Sequence, residues 1–241
     1  MSPHPARNPA SHDSLPNRET FFARLRAALD AVAPCEARQA RRVPDLASLT
    51  AARDRAARLC RHTEDLPAVF SRSAQQVGMR VVRVVERDIS LVLESELRRT
   101  SPDDAPIAVF VRDSSHDQMS RAAVECTGRR LLVPPAATFD ALYDAAASIT
   151  DVQAAVAETG SIVIASDPAH SRGCFLVPPV HIALIRASQI VPDLVDLFPP
   201  HAPQPPTSIV LVTGPSKTAD IEGILITGVH GPREVVILII E

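Results

Sequence analysis

Hydrophobic positions divide the chain into an N-terminal helical section and a longer section in which helices alternate with short apolar runs. In the first section, apolar residues between Phe21 and Val32 recur at helical spacing, which predicts a helix over Arg18–Val32 with Asn17 as its N-cap. A second helix is predicted over Ser48–Cys60. Residues 1–16 are rich in Pro, Ser, Asn and His, and we expect them to be disordered.

The second section alternates helical patterns with short runs of Val, Ile and Leu. The predicted helices are Ala68–Val77, Ser90–Arg99, Gln118–Cys126, Phe139–Ala147, Asp151–Glu158 and Pro192–Leu197. The predicted strands are Met79–Val85, Ile107–Val111, Arg130–Val133, Ser161–Ala165, Phe175–Val177, Ile182–Arg186, Ser208–Val212 and Glu234–Ile240. Near-continuous apolar strands separated by helices are typical of a parallel sheet covered on both faces. We therefore predict an α/β fold over residues 67–241, a mostly parallel open sheet flanked by helices, with an N-terminal helical extension over residues 17–66.

The composition of the chain argues against nucleic acid as a partner and against a membrane-spanning segment. The 241 residues carry a formal net charge of −3 and are 46% apolar but only 3% aromatic, so neither a basic surface nor stacking platforms for nucleic acid are expected. No apolar run is long enough to span a bilayer, and the N-terminus has no apolar leader. We therefore expect a cytoplasmic protein.

The four cysteines, at positions 35, 60, 126 and 174, are far apart in the sequence. Iron–sulfur clusters and zinc ribbons use closely spaced cysteines, and no C-x-x-C pair occurs here. We therefore expect buried thiols, no metal site and no bound cofactor.

Glycine is scarce in this chain, yet four of its eight glycines fall within residues 213–234, together with the only lysine, Lys217. The segment Gly214-Pro-Ser-Lys-Thr218 follows the predicted strand Ser208–Val212, which predicts a strand, a tight loop and a helix N-terminus. The glycines of a Walker A loop are absent, which excludes an NTPase of that type. In this interpretation an anion contacts the backbone of the loop and the side chains of Ser216, Lys217 and Thr218, while Asp220 and Glu222 orient the donors. Alternatively, the loop is only a helix entrance with Thr218 as N-cap.

Two further residues are candidates for catalysis. His230 lies between Gly228 and Gly231 before the last predicted strand, where a histidine can transfer a proton or contact an anion, and we count Gly231 with the ligand-binding loop. Glu158 ends a predicted helix, where the helix dipole disfavours a carboxylate that has no other role. The alternatives are an exposed loop histidine and a solvent-facing glutamate. His181, which follows two prolines, is interpreted as structural.

Four short segments carry a resemblance to a known family. They are Ala157-Glu-Thr-Gly-Ser161, Pro178–Ile182, Gly214–Glu222 and Gly228–Arg233. Their order and spacing resemble those of the lactate utilization protein C family, whose members contain the LUD domain. The resemblance covers residues 70–241, and the last two segments are its most specific part.

The resemblance implies a fold related to CoA transferases and ribose-phosphate isomerases. It also implies a cluster-free subunit of a system that oxidises L-lactate to pyruvate, which binds a small carboxylate or its iron–sulfur partner subunits. Glu158 resembles the nucleophilic glutamate in the S-E-N-G loop of CoA transferases, with Ala157 and Thr159 in place of serine and asparagine. The alternatives are a stand-alone enzyme of the CoA-transferase or formyltetrahydrofolate-cycloligase kind and a non-catalytic ligand-binding scaffold, so the sequence leaves open whether the chain is an enzyme.

Open α/β sheets bind ligands beyond the carboxyl ends of their strands. We therefore predict a site there, with Glu158 and His230 converging on the loop that follows the predicted strand Ser208–Val212.

Overall fold

The structure is a computed structural model that describes residues 18–31, 50–52, 58–60, 64–100, 104–167, 170–198, 206, 208–219 and 225–241. The chain divides into two compact units, Met1–Ser48 and Leu49–Glu241. In the first unit, helix α1 (Arg18–Ala31) forms where the sequence predicts it. The predicted tail over residues 1–16, the predicted cap Asn17 and most of the predicted helix Ser48–Cys60 lie outside the described residues.

The second unit alternates helices and strands along most of its length. Its helices are α2 (Leu66–Gln76), α3 (Ile89–Thr100), α4 (Ser114–Cys126), α5 (Phe139–Tyr143), α6 (Gly173–Leu176) and α7 (Leu194–Leu197). Its strands are β1 (Arg80–Val84), β2 (Ile107–Phe110), β3 (Leu131–Leu132), β4 (Ala147–Asp151), β5 (Ala154–Val156), β6 (Ser161–Ser166), β7 (Val180–Arg186), β8 (Ile190–Val191), β9 (Ser208–Val212), β10 (Lys217–Ala219), β11 (Leu225–Thr227) and β12 (Glu234–Ile240).

A six-stranded parallel sheet forms the centre of this unit, with the strand order β1-β12-β7-β4-β2-β3. The chain passes from β1 to β2 and β3 at one edge and then returns through β4, β7 and β12. The direction of the strand order therefore reverses between β2 and β4. The predicted α/β fold, a mostly parallel open sheet flanked by helices, is confirmed.

Two apolar clusters cover the two faces of this sheet. On one face, Ile182, Leu184 and Leu238 pack with residues of α3 and α4. On the other face, Ala183 and Ile237 pack with α2 and with a second sheet of order β8-β5-β6-β9. Successive residues of each central strand thus enter opposite clusters, which is why these strands are apolar throughout. The second sheet is a feature that the sequence did not predict.

Three predicted elements differ from the structure. Residues 151–158, predicted as a helix, contain the end of β4 and strand β5. The helix predicted over Phe139–Ala147 ends at Tyr143, and Phe175–Val177, predicted as a strand, overlaps helix α6. These segments are short, and periodicity alone cannot distinguish a short helix from a short strand.

The cysteines follow the sequence prediction only in part. Cys60 and Cys174 are buried, whereas Cys126 is exposed at the end of α4, and Cys35 lies outside the described residues. Burial raises the pKa of the Cys174 thiol to about 12, so this thiol stays protonated. Within the described ranges, no helix has the length and apolar character needed to cross a membrane, and no group of three or more His, Cys, Asp or Glu side chains could hold a metal ion.

Candidate functional site

The four motif segments meet at the amino edge of the parallel sheet, which is the edge where its strands begin. Segment Pro178–Ile182 leads into β7, and segment Gly228–Arg233 leads into the neighbouring parallel strand β12. The two segments are joined directly, because the Arg233 N–H donates to the Pro179 carbonyl oxygen at 2.8 Å.

Hydroxyl groups join the third segment, Ala157–Ser161, to the loop that follows β9. The Ser161 Oγ lies 2.7 Å from the Thr159 Oγ1 and 2.7 Å from the Thr213 Oγ1. This row of three hydroxyls extends the antiparallel pairing of β6 with β9 by one residue beyond the strand ends. The turn and the loop are therefore held side by side.

The loop Gly214–Thr218 continues into a strand and not into a helix. Its main chain pairs with the Gly228–Arg233 segment, since the Ser216 N–H donates to the Pro232 oxygen and the Gly228 N–H donates to the Ser216 oxygen, each at 2.8 Å. Strand β10 then pairs with β11 in a hairpin that places Thr218 opposite Ile226. Thr218 thus caps no helix, and the prediction of a helix N-terminus here is wrong. Asp220 and Glu222 lie outside the described residues.

Gly214 and Lys217 border the C-terminal end of α2. A methyl group placed on Gly214 would lie 2.9 Å from the Val77 carbonyl oxygen. A methyl group placed on Gly78 would lie 3.7 Å from the Lys217 Nζ, so this exposed ammonium group stands beside the residues that end α2. Lys217 is therefore directed towards the end of a helix.

Glu158 lies in the turn between β5 and β6, and its side chain is half-buried. Its N–H donates to the Pro192 carbonyl oxygen at 3.0 Å. The turn also presses on α2, because a methyl group placed on Gly160 would lie 2.3 Å from the Ala74 nitrogen. Glu158 therefore occupies a turn and not the helix end that the sequence predicted.

A pocket of about 510 Å³ opens beside these segments. Phe139, Tyr143, Leu176 and Val229 form most of its apolar wall, and Arg172 and His230 contribute polar groups. Gly231 separates the pocket from Ser216, since a methyl group on Gly231 would lie 3.1 Å from the Ser216 Cβ. Among the described residues, His230 and Gly231 are the predicted site residues that line this pocket, while Glu158, Ser216 and Lys217 lie outside its lining.

The carboxyl edge of the parallel sheet carries a different group of residues, which sequence reasoning missed. Where the strand order reverses, Arg112 follows β2 and pairs with Asp151, the last residue of β4, at 3.0 Å. The same guanidinium reaches Asp167 at 3.0 Å and the Ala165 carbonyl oxygen at 2.9 Å. Arg112 thus ties the ends of two strands to the second sheet.

A second ion-pair group continues this edge. Arg186, at the end of β7, lies 3.0 Å from Asp113 and 3.5 Å from Glu86. The buried His116 lies 3.3 Å from the same Glu86, and a cavity of about 80 Å³ lies beside His116 and Arg186. Hydrogen bonds from the Ser115 side chain, the His116 backbone and Arg186 hold the pKa of Asp113 well below its usual range. Each arginine at this edge has carboxylate partners, so the cluster neutralises its own charges.

The sequence contained a signal for this edge. Arg112, Asp151 and Arg186 are charged residues at or directly after apolar strands. Their meeting depends on the strand order, which local patterns do not give.

His181 is fully buried on β7. Its Nε2 lies 2.9 Å from the Thr150 Oγ1, and its ring lies 6.1 Å from that of Phe175. Burial lowers the pKa of His181 to about 3, so the ring is neutral at physiological pH. This environment agrees with the structural interpretation of His181.

Comparisons with known proteins find similarity over the C-terminal part of the chain. Residues 136–240 match the family model of the LUD domain. An uncharacterized protein, NMB1437, of Neisseria meningitidis is 38% identical over 97 residues, which cover 39% of this chain and 42% of that protein. The lactate utilization protein C of Oceanobacillus iheyensis is 35% identical over 104 residues, covering 41% of this chain and 44% of that protein. The lactate utilization protein C of Bacillus subtilis is 33% identical over 99 residues, covering 39% and 41%.

The matched segment thus spans less than half the length of these curated relatives. A crystal structure of a DUF162 family protein from Deinococcus radiodurans is similar at a TM-score of 0.48 and 18% identity, covering 73% of this chain and 96% of that chain. The resemblance to the lactate utilization protein C family is therefore confirmed, and residues 136–240 of this chain match its LUD domain.

Proposed function

We propose that this chain is a cluster-free component of a lactate-utilisation system that oxidises L-lactate to pyruvate together with iron–sulfur partner subunits. The names of the relatives that match residues of the LUD domain support this proposal. The main observation in support of the proposal is that the four motif segments meet at one edge of the sheet. Segments that are far apart in sequence and close in space are what a binding site requires.

The proposed ligand at this edge is a small carboxylate. Carboxylates bind to hydroxyl and N–H donors, and the hydroxyls of Thr159, Ser161 and Thr213 lie together here, next to the loop that carries Ser216 and Lys217. In this proposal Gly214, Thr218 and Gly231 shape the loops around the ligand. His230 and Glu158 are the proposed proton-transferring groups, and the proposed role of Asp220 and Glu222 is to orient the donors.

Growth on L-lactate as the sole carbon source tests the role in the cell. Deletion of the gene is expected to abolish this growth while leaving growth on glucose unchanged. The wild-type gene should restore growth on lactate, as should the control variant Leu91→Ala, which alters a side chain that is 72% exposed on α3. The variants Ser216→Ala and His230→Ala should restore it poorly at normal protein levels. Undiminished growth of the deletion strain would refute the proposed function.

Calorimetric titration of the purified chain tests the ligand. L-lactate and pyruvate are expected to bind, and if the Lys217 ammonium contacts the carboxylate, Lys217→Ala should weaken binding by about 1.5–3 kcal/mol, the range for a charged hydrogen bond. Affinity co-purification with iron–sulfur proteins of the host tests the alternative that this edge binds a partner subunit. Absence of heat with either acid, together with recovery of such partners, would shift the proposal from a ligand site to an assembly surface.

A further inference from the structure

We propose that the pocket beside His230 binds a flat aromatic molecule that carries one anionic group, such as an aryl carboxylate. This pocket lies across Gly231 from Ser216, and His230 and Gly231 are the residues that it shares with the proposed carboxylate site. The proposal rests on the size, the rings and the charge of the pocket, and it does not depend on a role in lactate utilisation.

The pocket is much larger than a three-carbon acid needs. Its volume of about 510 Å³ falls in the range of sites that enclose ligands the size of cofactors or drugs, roughly 300–1,000 Å³. A molecule as small as lactate would leave most of this space filled with water. The volume therefore favours a ligand with a ring system.

Two exposed aromatic rings stand at the rim of the pocket. The side chains of Phe139 and Tyr143 are 57% and 67% exposed, although the chain has only seven phenylalanines and one tyrosine. The two rings meet edge to face, with centroids 5.4 Å apart and planes at 84°. Leu176 and Val229, also exposed, continue the apolar surface. Contiguous exposed apolar side chains around a concavity mark binding sites, and aromatic rings favour flat partners.

The rings are held in place by the local fold. Thr138 caps α5 by accepting a hydrogen bond from the Ala141 N–H, and the buried Leu142 anchors the same helix. A methyl group placed on Gly173 would lie 3.0 Å from the Phe139 Cδ2, so the ring of Phe139 rests directly on the main chain of α6. The helix that carries the aromatic rim is therefore fixed in position, which suits the binding of a rigid ligand.

The charges of the pocket favour an anion. Arg172 and His230 line it, and no Asp or Glu of the described chain does. Arg172 also forms no ion pair with an acidic side chain in the described ranges, in contrast to Arg112 and Arg186 at the other edge. A guanidinium without a carboxylate partner can bind an anionic group through two hydrogen bonds and can stack on a ring.

Titration of the full chain with 2-naphthoate, followed by NMR and calorimetry, tests the proposal. The chain is expected to bind 2-naphthoate saturably and to bind 2-naphthol and cyclohexanecarboxylate about tenfold more weakly, because the first lacks the charge and the second lacks the flat ring. Arg172→Gln should weaken naphthoate binding about tenfold and leave naphthol binding unchanged, whereas Tyr143→Ala should weaken the binding of both.

Matched controls separate these effects from misfolding. Arg87→Gln and Leu91→Ala change an exposed arginine and an exposed leucine that do not line the pocket, and neither should alter binding. Tyr143→Phe should restore the affinity lost in Tyr143→Ala. The absence of saturable binding, or naphthoate binding that is insensitive to Arg172→Gln, would overturn the proposal. If 2-naphthoate fails to bind and Tyr143→Ala instead prevents co-purification with another protein, the rim is a protein-binding surface and the proposal is also wrong. None of these outcomes would test the proposed role in growth on lactate, so the two proposals can fail separately.

Discussion

Lys217 stands beside the C-terminal end of α2, where main-chain hydrogen bonds close the last turn. Helix α2 ends with the Gly78 N–H donating to the Gln75 oxygen and the Met79 N–H donating to the Ala74 oxygen, each at 3.0 Å. A cation beside such an end interacts favourably with the helix dipole by about 0.3–1 kcal/mol. We expect Lys217→Met to lower the free energy of unfolding by this amount in low salt. Urea titrations at low and high salt test this, and the difference should shrink as salt screens the charge. An equal loss at both salt concentrations would assign the effect to packing.

His181 predicts a dependence of stability on pH. Its pKa falls from 6.5 to about 3 on folding because the ring is buried. Between these values the unfolded chain binds more protons than the folded chain, so stability is fully present above the unfolded pKa and is lost as the pH falls. The loss approaches about 1.4 kcal/mol per pH unit for one such group.

The variant His181→Gln isolates this contribution, because glutamine keeps a polar group near Thr150 and does not titrate. The free energy of unfolding should be measured in urea between about pH 5 and pH 7, which lies above the range in which carboxylates with lowered pKa titrate. Plotted against pH, it should change more steeply for the wild type than for the variant. Parallel slopes would mean that water reaches His181.

At the scale of a single helix, Asp113 joins the start of α4 to the carboxyl edge of the sheet. Its carboxylate accepts hydrogen bonds from the backbone N–H groups of Ser115 and His116, and it also pairs with Arg186. Asp113→Ala removes both roles and is expected to cost about 1–2 kcal/mol in the free energy of unfolding. Asp113→Asn keeps the cap and should cost less, since only the partly exposed ion pair is lost.

The difference in stability between the wild type and Asp113→Asn should depend on pH. The folded pKa of Asp113 is lowered below 3.8, so its charge contributes stability above that pH, and the contribution is lost as the pH falls below it. Denaturant titrations above and below about pH 4 should therefore show the gap between wild type and Asp113→Asn closing in acid. A gap that persists in strong acid would contradict the assigned charge effect.

The turn between β5 and β6 depends on a glycine that touches a helix. Gly160 has φ +68° and leaves no room for a side chain beside Ala74, whereas Gly128 has φ +75° and no atom within 4 Å of an added methyl group. Gly128→Ala is expected to cost about 1–2 kcal/mol, the penalty of the left-handed conformation alone. Gly160→Ala has the same conformational penalty, and its methyl group would also push α2 away. It should therefore cost at least about 3 kcal/mol in the free energy of unfolding. Thermal unfolding of both variants measures the difference, and equal losses would show that the turn moves freely away from α2.

At the scale of the whole molecule, the parallel sheet could be predicted from sequence because its strands are apolar runs separated by helices. The second sheet could not, because the residues of β5 were predicted to be helical, and because β8 and β9 pair with strands that are distant in sequence. The sequence placed the candidate site beyond the carboxyl ends of the strands. The motif loops do converge, but they do so at the amino edge, since β9 belongs to the second sheet. Arg172 and the aromatic rim were missed because they lie between motifs and form no pattern of their own.

The two edges of the sheet are expected to act independently. Strand β7 separates Pro179 at the pocket from Arg186 at the ion-pair cluster, a span of about 23 Å at 3.3 Å per residue. Arg186→Gln breaks partly exposed ion pairs with Asp113 and Glu86, so it should lower the free energy of unfolding by up to about 1 kcal/mol and leave 2-naphthoate affinity unchanged. Arg172→Gln should lower 2-naphthoate affinity and leave the free energy of unfolding unchanged. The reason is that this guanidinium lines the pocket and has no acidic partner within the described ranges.

The double variant makes this comparison quantitative. Sites more than about 10 Å apart with no shared partner add in their effects to within about 0.5 kcal/mol. Urea unfolding and naphthoate titration of the wild type, the two single variants and the double variant should therefore give additive changes in both measurements. A larger deviation from additivity would mean that the two edges are energetically coupled through β7. We expect no such coupling, because the charges of the carboxyl edge are paired with one another and the sheet between the edges is apolar.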